Sequence, residues 1–232
     1  FSIGFEAVHG EKGDEFQYSD LIAKHFSTDH HKLMIDSKRM LSALPNVISA
    51  MSEPMVSHDN VGFYLLSEAV SKHVKVVQSG QGADEVFGGY HWYPPLADSN
   101  NAVGDYKKAF FDRDLEDYCE LISNTYQGNG SASTDHAYDY VAAHFNTPGA
   151  ATPVDQALRL DTTVMLVDDP VKRVDNMTMA WGLEARVPFL DHELVELAAT
   201  IPPEEKLKDG GKGILKDVAR TVIPAEVIDR PK

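Results

Sequence analysis

The chain has 232 residues, 43% of them hydrophobic, and carries 21 Lys and Arg against 36 Asp and Glu for a net charge of −15. That length and apolar content support a globular domain with its own core rather than a disordered chain, and the acidic balance argues against sequence-independent binding to nucleic acid or anionic lipid. No apolar run approaches the length of a membrane-spanning helix, the first residues lack the basic region and cleavage site of a signal peptide, and the single cysteine, Cys119, excludes an internal disulfide. The sequence therefore reads as cytoplasmic, with no nucleic-acid or membrane partner.

Phe1 to Phe5 reads as a short buried strand, followed by a glycine-rich acidic loop through Asp14. Tyr18, Leu21, Ile22, His25 and Phe26 then recur at helical spacing, which predicts an amphipathic helix over Asp14 to Phe26. Lys32 to Ile35 is a second strand, and strand–helix–strand is the rhythm of a parallel sheet with crossover helices. Ser37 to Met51 is helical, with Pro45 expected to kink or divide it. After Glu53-Pro54, Asp59 or Asn60 caps a helix to about Lys72, which delivers the chain into a strand over Val74 to Gln78.

Beyond Tyr93-Pro94-Pro95 the pattern becomes helical. Helices are predicted over Tyr106 to Tyr126 and His136 to Phe145, joined by a linker, Gln127 to Ser131, expected to be mobile. Leu115, Tyr118, Cys119 and Ile122 look like an inner helix face, so Cys119 reads as a buried structural thiol. Thr152 and Pro153 form a cap and first-turn pair for a helix through about Val167, with further helices over Asp175 to Gly182, His192 to Thr200 and Gly213 to Val222. The expected fold is a single α/β domain over residues 1–232, a parallel sheet with flanking helices and a nearly all-helical second half. The chain begins on Phe within a strand and stops at Arg230-Pro231-Lys232, which reads as a piece of a longer protein.

Ser79-Gly80-Gln81-Gly82-Ala83-Asp84-Glu85 follows the third strand directly. Glycines there leave backbone amides bare, so phosphate oxygens can approach closely, and in open α/β sheets the carboxyl ends of strands are where ligands bind. Asp84 is placed to hold Mg2+, an ion that favours one or two carboxylates together with phosphate oxygens. A turn with a structural Asp explains the same residues about as well. His30 and His31 do not make a metal site, because neighbours on a strand point to opposite faces. Tyr90, Trp92 and Tyr93 form an aromatic cluster that reads as core packing, with an acceptor pocket wall as the alternative.

Three further segments change the weighing: Arg173-Val174-Asp175-Asn176-Met177-Thr178-Met179, Leu183 through His192, and Lys212-Gly213-Ile214-Leu215-Lys216 ahead of Ile223-Pro224. With the glycine-rich loop, and in this order, they resemble the synthetase domain of asparagine synthetases. The resemblance implies an adenine nucleotide alpha hydrolase-like fold of the PP-loop ATP-pyrophosphatase type. It also implies an ATP- and Mg2+-dependent ligase, in which ATP adenylates a carboxylate acceptor and ammonia displaces AMP. Carried over by position, Ser79 and Gly80 match the ATP-contacting pair, with Gly82 beside them in the same loop. Asp84 matches the metal carboxylate, Ile3 falls where an apolar residue packs on adenine, and Lys212 matches the lysine facing the α-phosphate. Arg173 and Asp175 lie in a segment near the active site. Glu184, Arg186 and Asp191 are read instead as a structural ion-pair network.

The sequence also departs from that pattern. The family's Ser-Gly-Gly-x-Asp-Ser loop and the first, central strand of its sheet should precede Phe1, and the glutaminase domain that supplies ammonia should precede both, so this chain alone is expected to be inactive. Gln81 stands where asparagine-forming members carry Glu, and a neutral amide takes no proton from ammonia. His58 stands about where those members place an arginine for aspartate. Together with His91-Trp92-Tyr93-Pro94-Pro95, these changes look most like the N-acetylglutaminylglutamine amidotransferase branch. An aspartate acceptor, a transfer to sulfur or an internal amine, and a non-catalytic binding module of the same fold are the alternatives; a homodimer is one assembly left open.

Overall fold

The computed structural model describes residues 1–7, 13–55, 57–123 and 134–230. Strand β1 (Ser2–Phe5) pairs in parallel with β2 (Lys32–Ile35), in a register running from Ser2 opposite Lys32 to Phe5 opposite Ile35. Helix α1 (Phe16–His25) crosses between them. Helices α2 (Ser37–Ala50) and α3 (Asp59–Val70) follow, then strand β3 (Val76–Gln78). Pro45 neither breaks nor divides α2, whose single span continues through it. The Ser49 hydroxyl donates to the Pro45 carbonyl at 2.9 Å on the following turn. The residue that caps α3 is His58 rather than Asp59 or Asn60, and it makes no side-chain cap; the Ser57 hydroxyl accepts from the Asp59 amide instead.

Short helices α4 (Ala83–Phe87) and α5 (Tyr93–Leu96) lead into α6 (Ala102–Phe110) and α7 (Leu115–Leu121). The single helix predicted over Tyr106 to Tyr126 is thus two. Phe111 turns extended at φ −74°, ψ 127°, and the Asp114 side chain accepts from the Asp117 amide and starts a new helix. Apolar spacing continues across this break, while the carboxylate that nucleates the second helix is a local signal the period hides. Helix α7 buries none of its residues and Cys119 is only half-buried, so the expected inner face is not formed. The linker Gln127 to Ser131 lies outside the described residues.

Helix α8 spans His136–Phe145 and α9 spans Pro153–Leu160, the latter opened by a reciprocal capping box between Thr152 and Asp155. Rather than ending near Val167, the chain stays helical through two wider, π-type segments, Asp161–Met165 and Val167–Val171, and runs directly into α10 (Lys172–Met179). Pro170 lies in the second of these, where its missing amide cannot support regular α-helical bonding. Beyond α10 the chain forms a strand the sequence does not announce, β4 (Glu184–Arg186), parallel to β3 with Val76 opposite Glu184 and Gln78 opposite Arg186. Helices α11 (His192–Ala199), α12 (Pro203–Leu207), α13 (Gly213–Ala219) and α14 (Ala225–Ile228) complete the chain.

The architecture is α/β, mostly helical, with two separate two-stranded parallel sheets among the described residues. One core cluster joins β2, α2, α3 and α10 through Ile35, Val47, Val61, Leu65 and Met177. A second fills the helical part with Tyr93, Leu96, Tyr106, Phe145, Val154 and Leu160, and Trp92 and Tyr90 pack against it. The third seats Val86 and Phe87 of α4 on Ala198 of α11. Since β3 enters α4 through the glycine-rich loop, this last cluster fixes where that loop points.

Candidate active site

The Ser79 amide donates to the Arg186 carbonyl at 2.8 Å, continuing the β3–β4 ladder one residue past the strand, and the chain then leaves the sheet. Among the described residues, the amides of Gly80, Gln81 and Gly82 and the Ser79 hydroxyl meet no acceptor. Gly80 is open, for a Cβ there would touch nothing within 4 Å. Gly82 is the opposite case: its φ is +91° and a Cβ would lie 2.2 Å from Leu190 Cδ2, so no other residue fits. These four neighbouring donors, unpartnered among the described residues at a strand's carboxyl end, suit an anion's oxygens.

Asp84 lies in the first turn of α4, and Lys212 approaches it from the residue before α13. Lys212 adopts φ 56°, ψ 29°, and the preceding Gly211 has φ 111°, with its Cα packed so that a Cβ would lie 2.5 Å from the Gly88 carbonyl oxygen. This turn sets Lys212 Nζ 2.7 Å from Asp84 Oδ1, with both side chains about a quarter to a third exposed (24% and 31%). Among the described residues no group of three or more His, Cys, Asp or Glu is arranged to hold a metal. A divalent ion at Asp84 would therefore take most of its oxygens from phosphate and water, which is the coordination Mg2+ favours.

The remaining predicted residues do not all converge. Gln81 is half-buried in the loop, with its amide unpartnered among the described residues. Arg173 is buried in α10, donates to Ser57 Oγ and pairs with Asp59 at 3.4 Å and Asp169 at 3.6 Å, tying the loop before α3 to α10. Asp175, two residues on, is exposed on another face of the helix, so the two do not form one constellation. Ile3 borders a cavity of about 530 Å³ with Phe16, His30 and Arg230, whereas Ser79 borders a groove of about 370 Å³ with Val74, Val76 and Leu183; Phe1 lies in both walls. His58 is 97% exposed and, among the described residues, lies against Asp59 alone, at 3.5 Å. In the expected ion-pair network, Glu184 and Arg186 do pair at 2.9 Å, but both are exposed, and Asp191 instead caps α11 by accepting from the Glu193 amide.

Two buried carboxylates behind the loop escaped the sequence reading. Glu85 accepts from Tyr90 Oη at 2.7 Å, and Asp161 accepts from Trp92 Nε1 at 3.0 Å, from Tyr93 Oη at 2.6 Å and from Tyr106 Oη. Burial pushes both carboxyls above the usual carboxylate range, against the pull of these hydrogen bonds. Burial likewise holds the phenols of Tyr90, Tyr93 and Tyr106 well above the ordinary tyrosine range, so all three serve as donors. The aromatic cluster is thus core, and its polar tips meet Asp161. The usable signal was that buried Tyr and Trp require an acceptor.

No helix among the described residues is long and apolar enough to cross a membrane. The family model described as asparagine synthase matches residues 1–232. Asparagine synthetase [glutamine-hydrolyzing] 3 of Bacillus subtilis is 28% identical over 240 residues, covering 98% of this chain and 37% of that protein. Asparagine synthetase [glutamine-hydrolyzing] 1 of the same organism is 26% identical, covering 100% and 41%, and the human asparagine synthetase [glutamine-hydrolyzing] is 25% identical, covering 97% and 32%. The chain thus spans between about a third and two fifths of the length of these relatives. With the whole of its length matched by that model, the chain belongs to the asparagine synthase family.

Proposed function

We propose that this chain is the synthetase part of a glutamine-dependent, ATP-using ligase that converts an acceptor carboxylate to an amide. The observation that carries the reading is the 2.7 Å contact of Lys212 with Asp84 beside three loop amides that have no partner among the described residues. The loop amides and the Ser79 hydroxyl would receive phosphate oxygens of ATP, and Lys212 would offset charge at the α-phosphate. An acceptor carboxylate oxygen bonds to the α-phosphorus as the bond to pyrophosphate breaks. Ammonia then attacks the acyl carbon, AMP departs with the C–O electron pair, and the nitrogen sheds a proton. Gln81 has no basic group to take that proton, so another group or water accepts it. Mg2+ held at Asp84 and on phosphate oxygens would neutralise the charge of the leaving pyrophosphate.

Two parts of this reading concern the longer protein. The groove of about 370 Å³ lies between the β1 end at Phe1 and β3 from Val76 to Ser79. A further parallel strand carrying the Ser-Gly-Gly-x-Asp-Ser loop would fill it, join the two sheets into one PP-loop ATP-pyrophosphatase sheet and complete the phosphate site. Ammonia would come from a glutaminase domain elsewhere in that protein.

N-acetylglutaminylglutamine is the acceptor favoured by Gln81 and by the exposed His58, which offers no fixed cation for a small dicarboxylate. Aspartate is the second reading, favoured by the names of the relatives. Acceptor-dependent AMP release by the full-length protein, with ATP, Mg2+ and glutamine, tests both. AMP formed with the capped dipeptide supports the first acceptor, AMP formed only with aspartate the second, and no acceptor-dependent AMP overturns the ligase reading.

A further inference from the structure

A cavity of about 460 Å³ lies behind the glycine-rich loop, bordered by α4 at Glu85 and Val86, by α9, and by the ends of α11 and α12. Neither Asp84 nor Lys212 borders it. Its walls are mainly apolar, with Leu158, Val195, Ala199 and Ile201.

Lys206 of α12 also borders this cavity and is only 4% exposed. Its Cβ lies beside Gly88, 3.5 Å from where a Cβ on that glycine would stand. Among the described residues its ammonium has neither a hydrogen-bond acceptor nor an ion-pair partner, and it is not one of the fully buried atoms left unsatisfied, so Nζ itself keeps access to solvent. Burial pushes this lysine below its ordinary range, and the more distant charge of Asp155 acts in the opposite direction. An ammonium with no protein partner beside a mainly apolar wall is open to an anion's oxygens.

The other charged groups around the cavity are already engaged. Arg159 donates to the carbonyls of His144, Thr147 and Pro148 at 2.6, 2.8 and 3.0 Å. Asp155 is held in the Thr152 capping box, and Glu85 takes the Tyr90 hydroxyl. Among the described residues that border the cavity one cation is therefore available, and Glu85 and Asp155 stand on the same walls, an arrangement that disfavours a second negative charge such as a phosphate dianion's. We propose that this cavity is a binding site for a small aliphatic monocarboxylate, its carboxylate on Lys206 Nζ and its hydrocarbon against Leu158, Val195 and Ile201. The site is separate from the one proposed for ATP, and Lys206 lies within a few residues of Lys212 along the chain.

The test is calorimetric titration of the full-length protein with isovalerate, isovaleramide and inorganic phosphate, without ATP. Saturable isovalerate binding is expected, weaker by about tenfold or more for the neutral amide and in Lys206→Met, and retained in Lys212→Met. Absence of saturable isovalerate binding, equal binding of the amide, phosphate binding tighter than isovalerate, or binding lost in Lys212→Met would each overturn the site. Should Lys206→Met fail to fold, the comparison of acid and amide on the unaltered protein decides.

Discussion

Asp84 and Lys212 meet directly over Gly89. A Cβ on Gly89 would lie 2.1 Å from Asp84 Oδ1 and 2.2 Å from Lys212 Cε, so the ion pair occupies the space where a side chain would be. Gly89→Ala must therefore push the two apart, although Gly89 does not have the positive φ that would itself demand glycine. AMP release by the full-length protein should fall about 100-fold, as expected when reacting groups shift by about 1 Å. Far-UV circular dichroism should be unchanged. Near-normal turnover in this variant would remove the pair from the chemistry.

Lys212→Met tests the charge and keeps most of the bulk. Its loss should lower turnover by about 100- to 1000-fold, the range for a preorganised charge-stabilising group. Pre-steady-state measurement of pyrophosphate release should show the adenylation step slowed. A variant slow only after adenylation would assign Lys212 elsewhere.

Asp161 makes stability depend on pH in a defined direction. Burial raises its folded-state pKa above the reference value of 3.8. The folded state thus holds the proton more tightly than the unfolded chain, so the contribution is fully present below about 3.8 and is lost as pH rises through the folded value. Asp161→Asn removes that dependence. Urea titrations across the acid-to-neutral range should show the wild type losing stability relative to the variant as pH climbs; the reverse slope would contradict the assignment. Separately, Tyr106→Phe takes one donor from the buried carboxylate and should cost about 1–3 kcal/mol.

Thr152→Ala deletes the capping box that starts α9, where the hydroxyl accepts from the Asp155 amide at 3.1 Å. A loss of about 1 kcal/mol is expected in denaturant unfolding. Because Asp155 also lines the cavity beneath Lys206, isovalerate titration of the same variant shows whether the two features are coupled.

The first half of the fold was legible because its signals are periodic. The strands at Phe1 to Phe5 and Lys32 to Ile35 and the helices between and after them were read from apolar spacing, and their boundaries moved by only a few residues. Strand β4 was not, since Glu-Ala-Arg is three residues with two charged and exposed side chains; only its pairing to β3 makes it a strand. The break between α6 and α7 hid for the opposite reason, with apolar spacing running across a local cap. At the site, the special conformations of the loop could be anticipated from its glycines. The nearness of Lys212 could not be read from spacing at all, and came only through a resemblance. Lys206 is more opaque still: Glu204-Glu205-Lys206-Leu207-Lys208 looks like a solvated turn, and only tertiary packing, in part beside Gly88, covers that one lysine.

Lys212 sits at φ 56°, a backbone region that residues with a Cβ occupy at a cost of about 1–2 kcal/mol. Thermal endurance and turnover therefore make opposite demands on this position. Glycine would relax the turn and firm the domain while stripping away its ammonium. A library sorted for heat tolerance alone should drift toward Lys212→Gly and arrive at a sturdier, idle protein, whereas one sorted for product should hold the lysine in its uncomfortable pose.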